Sequence, residues 1–178
     1  MDNLKYPIGN FTMPAHTDLP GWIKTIEQFP AALAGVVAGM DDEKLDTPYR
    51  DGGWTIRQVV HHMVDSHMNS YVRFRLALTE ENPVIKPYEE ALWAELEDAK
   101  QAPVAVSLEL LRALHRRWTL LMKSMKPDDW NRTYHHPVSG KDWKLTNVLA
   151  LYAWHCNHHL AHITSLCERM QWKMATAI

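Results

Sequence analysis

From about Thr146 to Met170 apolar residues recur at the spacing of an α-helix and not of a strand. Placed on a wheel at about 100° per residue, Leu145, Val148, Tyr152, Ile163, Leu166 and Met170 share one face. An apolar face of that length must be buried against other elements. Comparable amphipathic stretches run from about Gly21 to Met40, Thr55 to Glu81, and Val106 to Met125. Strand-like alternation is scarce, so the pattern predicts an all-α four-helix bundle with short irregular insertions.

Local signals set the expected boundaries. Thr55-Ile-Arg-Gln58 matches a capping box, in which the Thr hydroxyl and the Gln amide satisfy end N–H groups reciprocally. That helix should stop before Pro83. Pro30 should kink or divide the first helix, because it lacks an N–H and crowds the preceding turn. A short helix is expected around Glu89 to Lys100, and a turn or short hairpin centred on Pro137 to Gly140. The stretch up to Pro20, with Pro7, Gly9 and Pro14, reads as an extended arm. No repeat or linker interrupts the 178 residues, so residues 1–178 are expected to form a single domain.

Composition narrows the function classes. A net charge of -2 with 22% charged residues offers no basic surplus for nucleic acid. No apolar run is long enough to cross a bilayer. The opening MDNLKYPIGN has no signal-peptide character, so the expected compartment is the cytoplasm. Cys156 and Cys167 would lie about 16 Å apart along one helix, beyond the roughly 7 Å that a disulfide tolerates. Both are expected to be reduced and buried.

The chain carries 11 histidines, four of them in YAWHCNHHLAHI, residues 152–163. On the wheel His155 and His159 fall within the apolar face, His162 at its edge and His158 well outside. Residues four apart on a helix have neighbouring side chains, so His155 and His159 can share one ion. The protease pattern HExxH is absent, because Cys156 and His159 stand where the glutamate would be. A third ligand would come from His61, His62 or His67 on the capped helix. The wheel there favours His67 and sets His62 nearly opposite the apolar centre.

The segments LDTPYRDGGW and VVHHMVDSHMNSY, with LYAWHCNHHLAHITSLCERMQW and the KYPIG start, resemble the DinB-like superfamily. More narrowly, they are similar to its YfiT-type members, described as bacillithiol transferases and as metal-dependent hydrolases. The resemblance implies a four-helix bundle with one divalent ion held by three histidines. These map to His62, eight residues after the tryptophan of GGW, and to His155 and His159. The wheel agrees for the last helix; for the second, the resemblance favours His62 over His67.

Three neutral imidazoles leave an ion its full charge and an open position, the pattern of a catalytic site. The resemblance implies transfer of a small thiol, bacillithiol, to an electrophilic substrate. Arg57, Arg73, Arg75, Arg116 and Arg117 are the cations available to meet that anionic thiol. The alternative is hydrolysis by a metal-bound hydroxide, with Asp65 or His158 taking the proton. Asp65 could instead orient a ligand histidine. A structural ion in a binding protein is the third reading. Imidazole ligands suit Zn2+ or Ni2+. Trp54, Trp93, Trp118, Trp143 and Trp154 are candidates for a pocket wall or for the core. The resemblance also implies a homodimer. His61, His67, His158 and His162 are left without an assigned role.

Overall fold

The structure is a computed structural model that describes residues 4–173. The first three residues of the expected arm and the last five of the chain lie outside that range. Seven α-helices occur among the described residues: α1 Leu19–Val37, α2 Asp42–Leu45, α3 Ile56–Thr79, α4 Glu90–Trp93, α5 Glu97–Gln101, α6 Val104–Ser124 and α7 Leu145–Arg169. A 3-10 turn, Pro127–Asn131, precedes a hairpin of β1 Thr133–His136 and β2 Lys141–Lys144. The strands are antiparallel, pairing Thr133 with Lys144 and His136 with Lys141.

The long helices α1, α3, α6 and α7 form the bundle. Both α1 and α3 pack on α6 and on α7, closing a ring in the order α1, α6, α3, α7. Apolar side chains fill its centre, with Ile26, Leu33, Met63, Phe74, Trp118, Leu149 and Ile163 fully buried. Trp118 stands edge-on to Phe74 at 5.3 Å and to Tyr152 at 5.7 Å. It therefore belongs to the core, and burial of so large a ring is among the larger stabilising terms. Both cysteines are buried and unpaired, as expected.

Several boundaries follow from the sequence. The Asp18 side chain accepts from the Gly21 N–H at 3.0 Å and starts α1 two residues before the expected Gly21. The capping box at α3 forms as read, with Gln58 N donating to Thr55 Oγ1 at 3.1 Å and Thr55 N to Gln58 Oε1 at 2.9 Å. The same glutamine donates from Nε2 to the Ala94 carbonyl at 2.7 Å, tying the α4–α5 segment to α3.

One expectation is narrowed and one corrected. Of the two effects expected of Pro30, division does not occur, since α1 continues to Val37. The carbonyl that Pro30 cannot serve, that of Ile26, accepts instead from His115 Nδ1 at 2.6 Å. The single helix expected from Glu89 to Lys100 is two short ones, because Leu96 adopts an extended backbone between them. No helix among the described residues is long and apolar enough to cross a membrane.

Candidate metal centre

Residues of α3 and α7 meet in the middle of the bundle with histidines on both sides. His62 lies less than two turns past the Thr55 cap, and His155 and His159 lie on successive turns of α7. The Nε2 atoms of His62 and His155 are 3.4 Å apart. The His159 ring centroid is 4.8 Å from that of His62 and 4.4 Å from that of His155. One ring nitrogen from each of the three can be chosen so that all lie within 4.8 Å of one another.

These side chains fit a divalent ion. Two nitrogens bound at the usual zinc distance and tetrahedral angle would sit about 3.4 Å apart, close to the His62–His155 separation. Each ring is neutral at pH 7, as a metal ligand must be. Burial, helped by His162, pushes His62 down to about 4. Burial and the neighbouring histidines hold His155 and His159 well below the usual imidazole range. No carboxylate joins the cluster, so the ion would retain its full charge.

The histidines form the floor of a cavity of about 380 Å³. One wall comes from the turn leading into α3, where Tyr49 N donates to the Trp54 carbonyl and Gly53 N to the Arg50 carbonyl, both at 3.0 Å. This turn places Tyr49, Arg50 and Trp54 at the cavity edge. Trp54 packs on His62 at 4.7 Å between centroids. Trp154 and the N-terminal arm, through Lys5 and Tyr6, complete the lining. Glu90 of α4 is the carboxylate among the lining residues.

The other histidines sort by position. His67 is fully buried behind His155, with its Nε2 3.2 Å from His155 Nδ1. Its other nitrogen lies 2.8 Å from His115 Nε2. His67 thus stands beside the cluster and outside the three. His61 turns away, bridging Ser107 at 2.7 Å and the Ala102 carbonyl at 3.1 Å.

The wheel set His162 at the edge and His158 outside, flanking the site or facing solvent. Both are buried. His162 stacks on Tyr49 at 4.0 Å and donates from Nε2 to the Lys5 carbonyl at 3.1 Å. His158 lies against Trp154 at 4.4 Å and Tyr6 at 5.9 Å. The arm and the Tyr49–Trp54 turn cover a face that helix packing alone would leave open.

Asp65 is not among the cavity residues, and its carboxylate makes no hydrogen bond to a histidine. Burial and nearby Asp98 push it up to about 6. The group that faces His155 Nδ1 is His67, at 3.2 Å. None of the five arginines singled out in the sequence lines the cavity. Arg57 is instead buried against Asp42 and Asp46, both at 2.6 Å. The lining cations are Arg50 and Lys5, and Arg50 Nε is buried without a hydrogen-bond partner among the described residues. Sequence reasoning also missed His115, although it shares a stripe with Leu111, Trp118 and Met122 on α6.

A family model described as the DinB superfamily matches residues 25–163. A protein of Bacillus mycoides (strain KBAB4), provisionally named a metal-dependent hydrolase, is 55% identical over 97% of this chain and 100% of its own length. One of Bacillus cereus (strain 03BB102), with the same provisional name, is 53% identical over the same shares. Among solved structures, YfiT from Bacillus subtilis superposes with a TM-score of 0.93 at 50% identity, covering 96% of this chain and 99% of that one. It is described as a probable metal-dependent hydrolase with an unusual four-helix bundle topology. TT2238, a four-helix bundle protein, shares the fold with a TM-score of 0.57 at 20% identity, over 83% of this chain and 99% of its own.

Proposed function

We propose that this chain, which belongs to the DinB superfamily, is a metal-dependent enzyme whose divalent ion is held by His62, His155 and His159. The observation that carries the reading is the convergence of three neutral imidazoles on the floor of an open cavity. Such an ion, when bound, supplies Lewis acidity that ionises a thiol or water at neutral pH. Zn2+ or Ni2+ suits the donor set.

The reaction we favour is transfer of a small anionic thiol, with bacillithiol as the donor. Supporting it, no carboxylate joins the three-histidine cluster, so no strong base waits beside the reacting sulfur. Arg50 and Lys5 line the same cavity and would meet the donor's negative groups. Arg50 Nε, lacking a partner, is a donor in need of an acceptor. Trp54 and Trp154 supply flat apolar walls that orient the electrophile and exclude water. In the transfer the thiol loses its proton to solvent at the mouth. Its sulfur then bonds to the electrophilic carbon: a halide departs with its electron pair, an epoxide oxygen takes the pair of the broken C–O bond and is protonated, and an enone takes the proton at its α-carbon with nothing leaving.

A second reading is hydrolysis, the activity in the relatives' names. Glu90 favours it, since a carboxylate at the cavity could accept a proton from water as water adds to an acyl carbon. The two separate in one assay. Zinc-loaded protein is incubated with bacillithiol and a panel of alkyl halides, epoxides and enones, while activated esters and amides are tested without thiol. Thiol adducts detected by mass spectrometry support transfer. Ester or amide cleavage without any adduct would replace it with hydrolysis.

A further inference from the structure

Behind His155 a line of hydrogen bonds crosses the bundle and uses one residue from each long helix. It begins at Ile26 on α1. Pro30 stands four residues on, where an N–H would normally serve the Ile26 carbonyl, and proline has none. His115 Nδ1 of α6 lies 2.6 Å from that carbonyl oxygen. A carbonyl only accepts, so the proton sits on His115 Nδ1.

A neutral imidazole carries one N–H, which leaves His115 Nε2 as an acceptor. His67 Nδ1 of α3, 2.8 Å away, must therefore be the donor. The two rings are nearly parallel at 7° with centroids 4.8 Å apart, so the much closer nitrogens meet edge to edge. With its proton on Nδ1, His67 offers a lone pair on Nε2, 3.2 Å from His155 Nδ1 on α7. His155 donates in turn. Its own lone pair is left on Nε2, the atom that faces His62 at 3.4 Å.

We propose that His67 and His115 are positioning residues of the metal centre, fixing His155 as the Nδ1–H tautomer with its Nε2 lone pair presented to the ion. The direction of the chain is set by the carbonyl that Pro30 leaves free. A shorter copy acts on the neighbouring ligand. His162 Nε2 donates to the Lys5 carbonyl, so its Nδ1 accepts from His159 Nδ1 at 3.4 Å and leaves His159 Nε2 unprotonated. Burial supports neutrality along the longer chain: His67 and His115 are 0% and 1% exposed, and charging either there would be costly. The partner of a ligand's second nitrogen sets its tautomer and its basicity. Carboxylates or single carbonyls usually fill that position; here it is a second histidine held by a third.

The inference rests on His62, His155 and His159 being the ligands, and the experiment separates the two. Zinc-loaded protein labelled with 15N-histidine is examined by long-range 1H–15N correlation. His67, His115 and His155 should all show the Nδ1–H pattern; any one protonated on Nε2 overturns the proposal. Zinc affinity by chelator competition is then compared among variants. His67→Phe should bind about 10–100-fold more weakly. His67→Gln, which keeps an acceptor oxygen near the Nε2 position, should recover most of that loss. If His62→Ala abolishes binding while both His67 variants bind as the native chain does, the ligand set stands and the positioning role falls. If His62→Ala still binds zinc at full affinity, both readings fall.

Discussion

His62 Nε2 and His155 Nε2 lie 3.4 Å apart, although 93 residues separate them in the chain. When both nitrogens are unprotonated, as ligands of one ion must be, they repel at that distance unless something positive lies between them. An ion there should therefore stabilise the fold as well as serve chemistry. At about 100 times its dissociation constant, free Zn2+ should add about 2.7 kcal/mol, or about 5–11 °C in Tm for a domain of this size. Differential scanning fluorimetry with chelator and with graded zinc reads this directly. A Tm indifferent to zinc in the native chain would remove the ion from the site.

The buried histidines predict acid sensitivity. His115 is held at about 4, chiefly by burial, against an ordinary 6.5. Above pH 6.5 it is neutral folded or unfolded and contributes nothing to the pH dependence. Below 6.5 the unfolded chain takes up a proton that the folded one refuses. Stability is thus lost as pH falls from 6.5 to about 4, by about 3 kcal/mol from this residue alone, and levels off below. Urea midpoints of metal-free protein at pH 7 and pH 4.5 should show the drop. His115→Leu should make the slope shallower, and an unchanged slope would refute the assignment.

Adjacent glycines in the cavity turn should respond differently. Gly52 has φ +60 and open space around a built Cβ, so Gly52→Ala should cost about 1 kcal/mol through the backbone alone. At Gly53 a Cβ would meet Arg50 Cγ at 2.7 Å and Tyr49 Cε1 at 3.2 Å. Tyr49 is the ring stacked on His162. Gly53→Ala should cost about 1–3 kcal/mol and also weaken zinc binding, which Gly52→Ala should leave within about two-fold. Denaturant melts with zinc titrations distinguish them.

Arg50 offers a test of substrate charge. Arg50→Gln should leave zinc content at the native level, because the arginine is not within the histidine cluster. If the thiol donor is anionic, the variant should raise its KM about ten-fold, as loss of one charge-assisted hydrogen bond predicts. The effect should shrink with added salt. Equal KM values for both proteins would turn the search for the donor's anchor to Lys5.

The bundle and the pairing of His155 with His159 on one face of α7 are legible because both depend on period. His155 and His159 share the apolar stripe that packs the helix. His62 was not legible this way, and the reason is physical. From Ile56 to Val64 every residue of α3 is buried, charged and polar ones included, so the stripe that a wheel detects is absent there. Resemblance points to His62; the wheel points to His67, which is central but lies behind the three clustered histidines. His158 and His162 misled it in the opposite sense, because their cover comes from irregular segments with no period to read. Asp65 is the carboxylate nearest the α3 histidines in sequence, yet the carboxylate at the cavity, Glu90, sits on a four-residue helix that sequence spacing does not bring to the site.

Pro30 has an implication for attempts to engineer this chain. By helix propensity it is the obvious residue to replace, and Pro30→Ala would relieve about 3 kcal/mol of intrinsic penalty. The alanine N–H would then compete with His115 for the Ile26 carbonyl, 2.6 Å from the imidazole. A more heat-resistant protein with a looser hold on its ion is the outcome to expect, a stability–activity exchange concentrated in one position on a helix that supplies no ligand. Screens that rank variants of this fold by melting temperature alone would select against its chemistry.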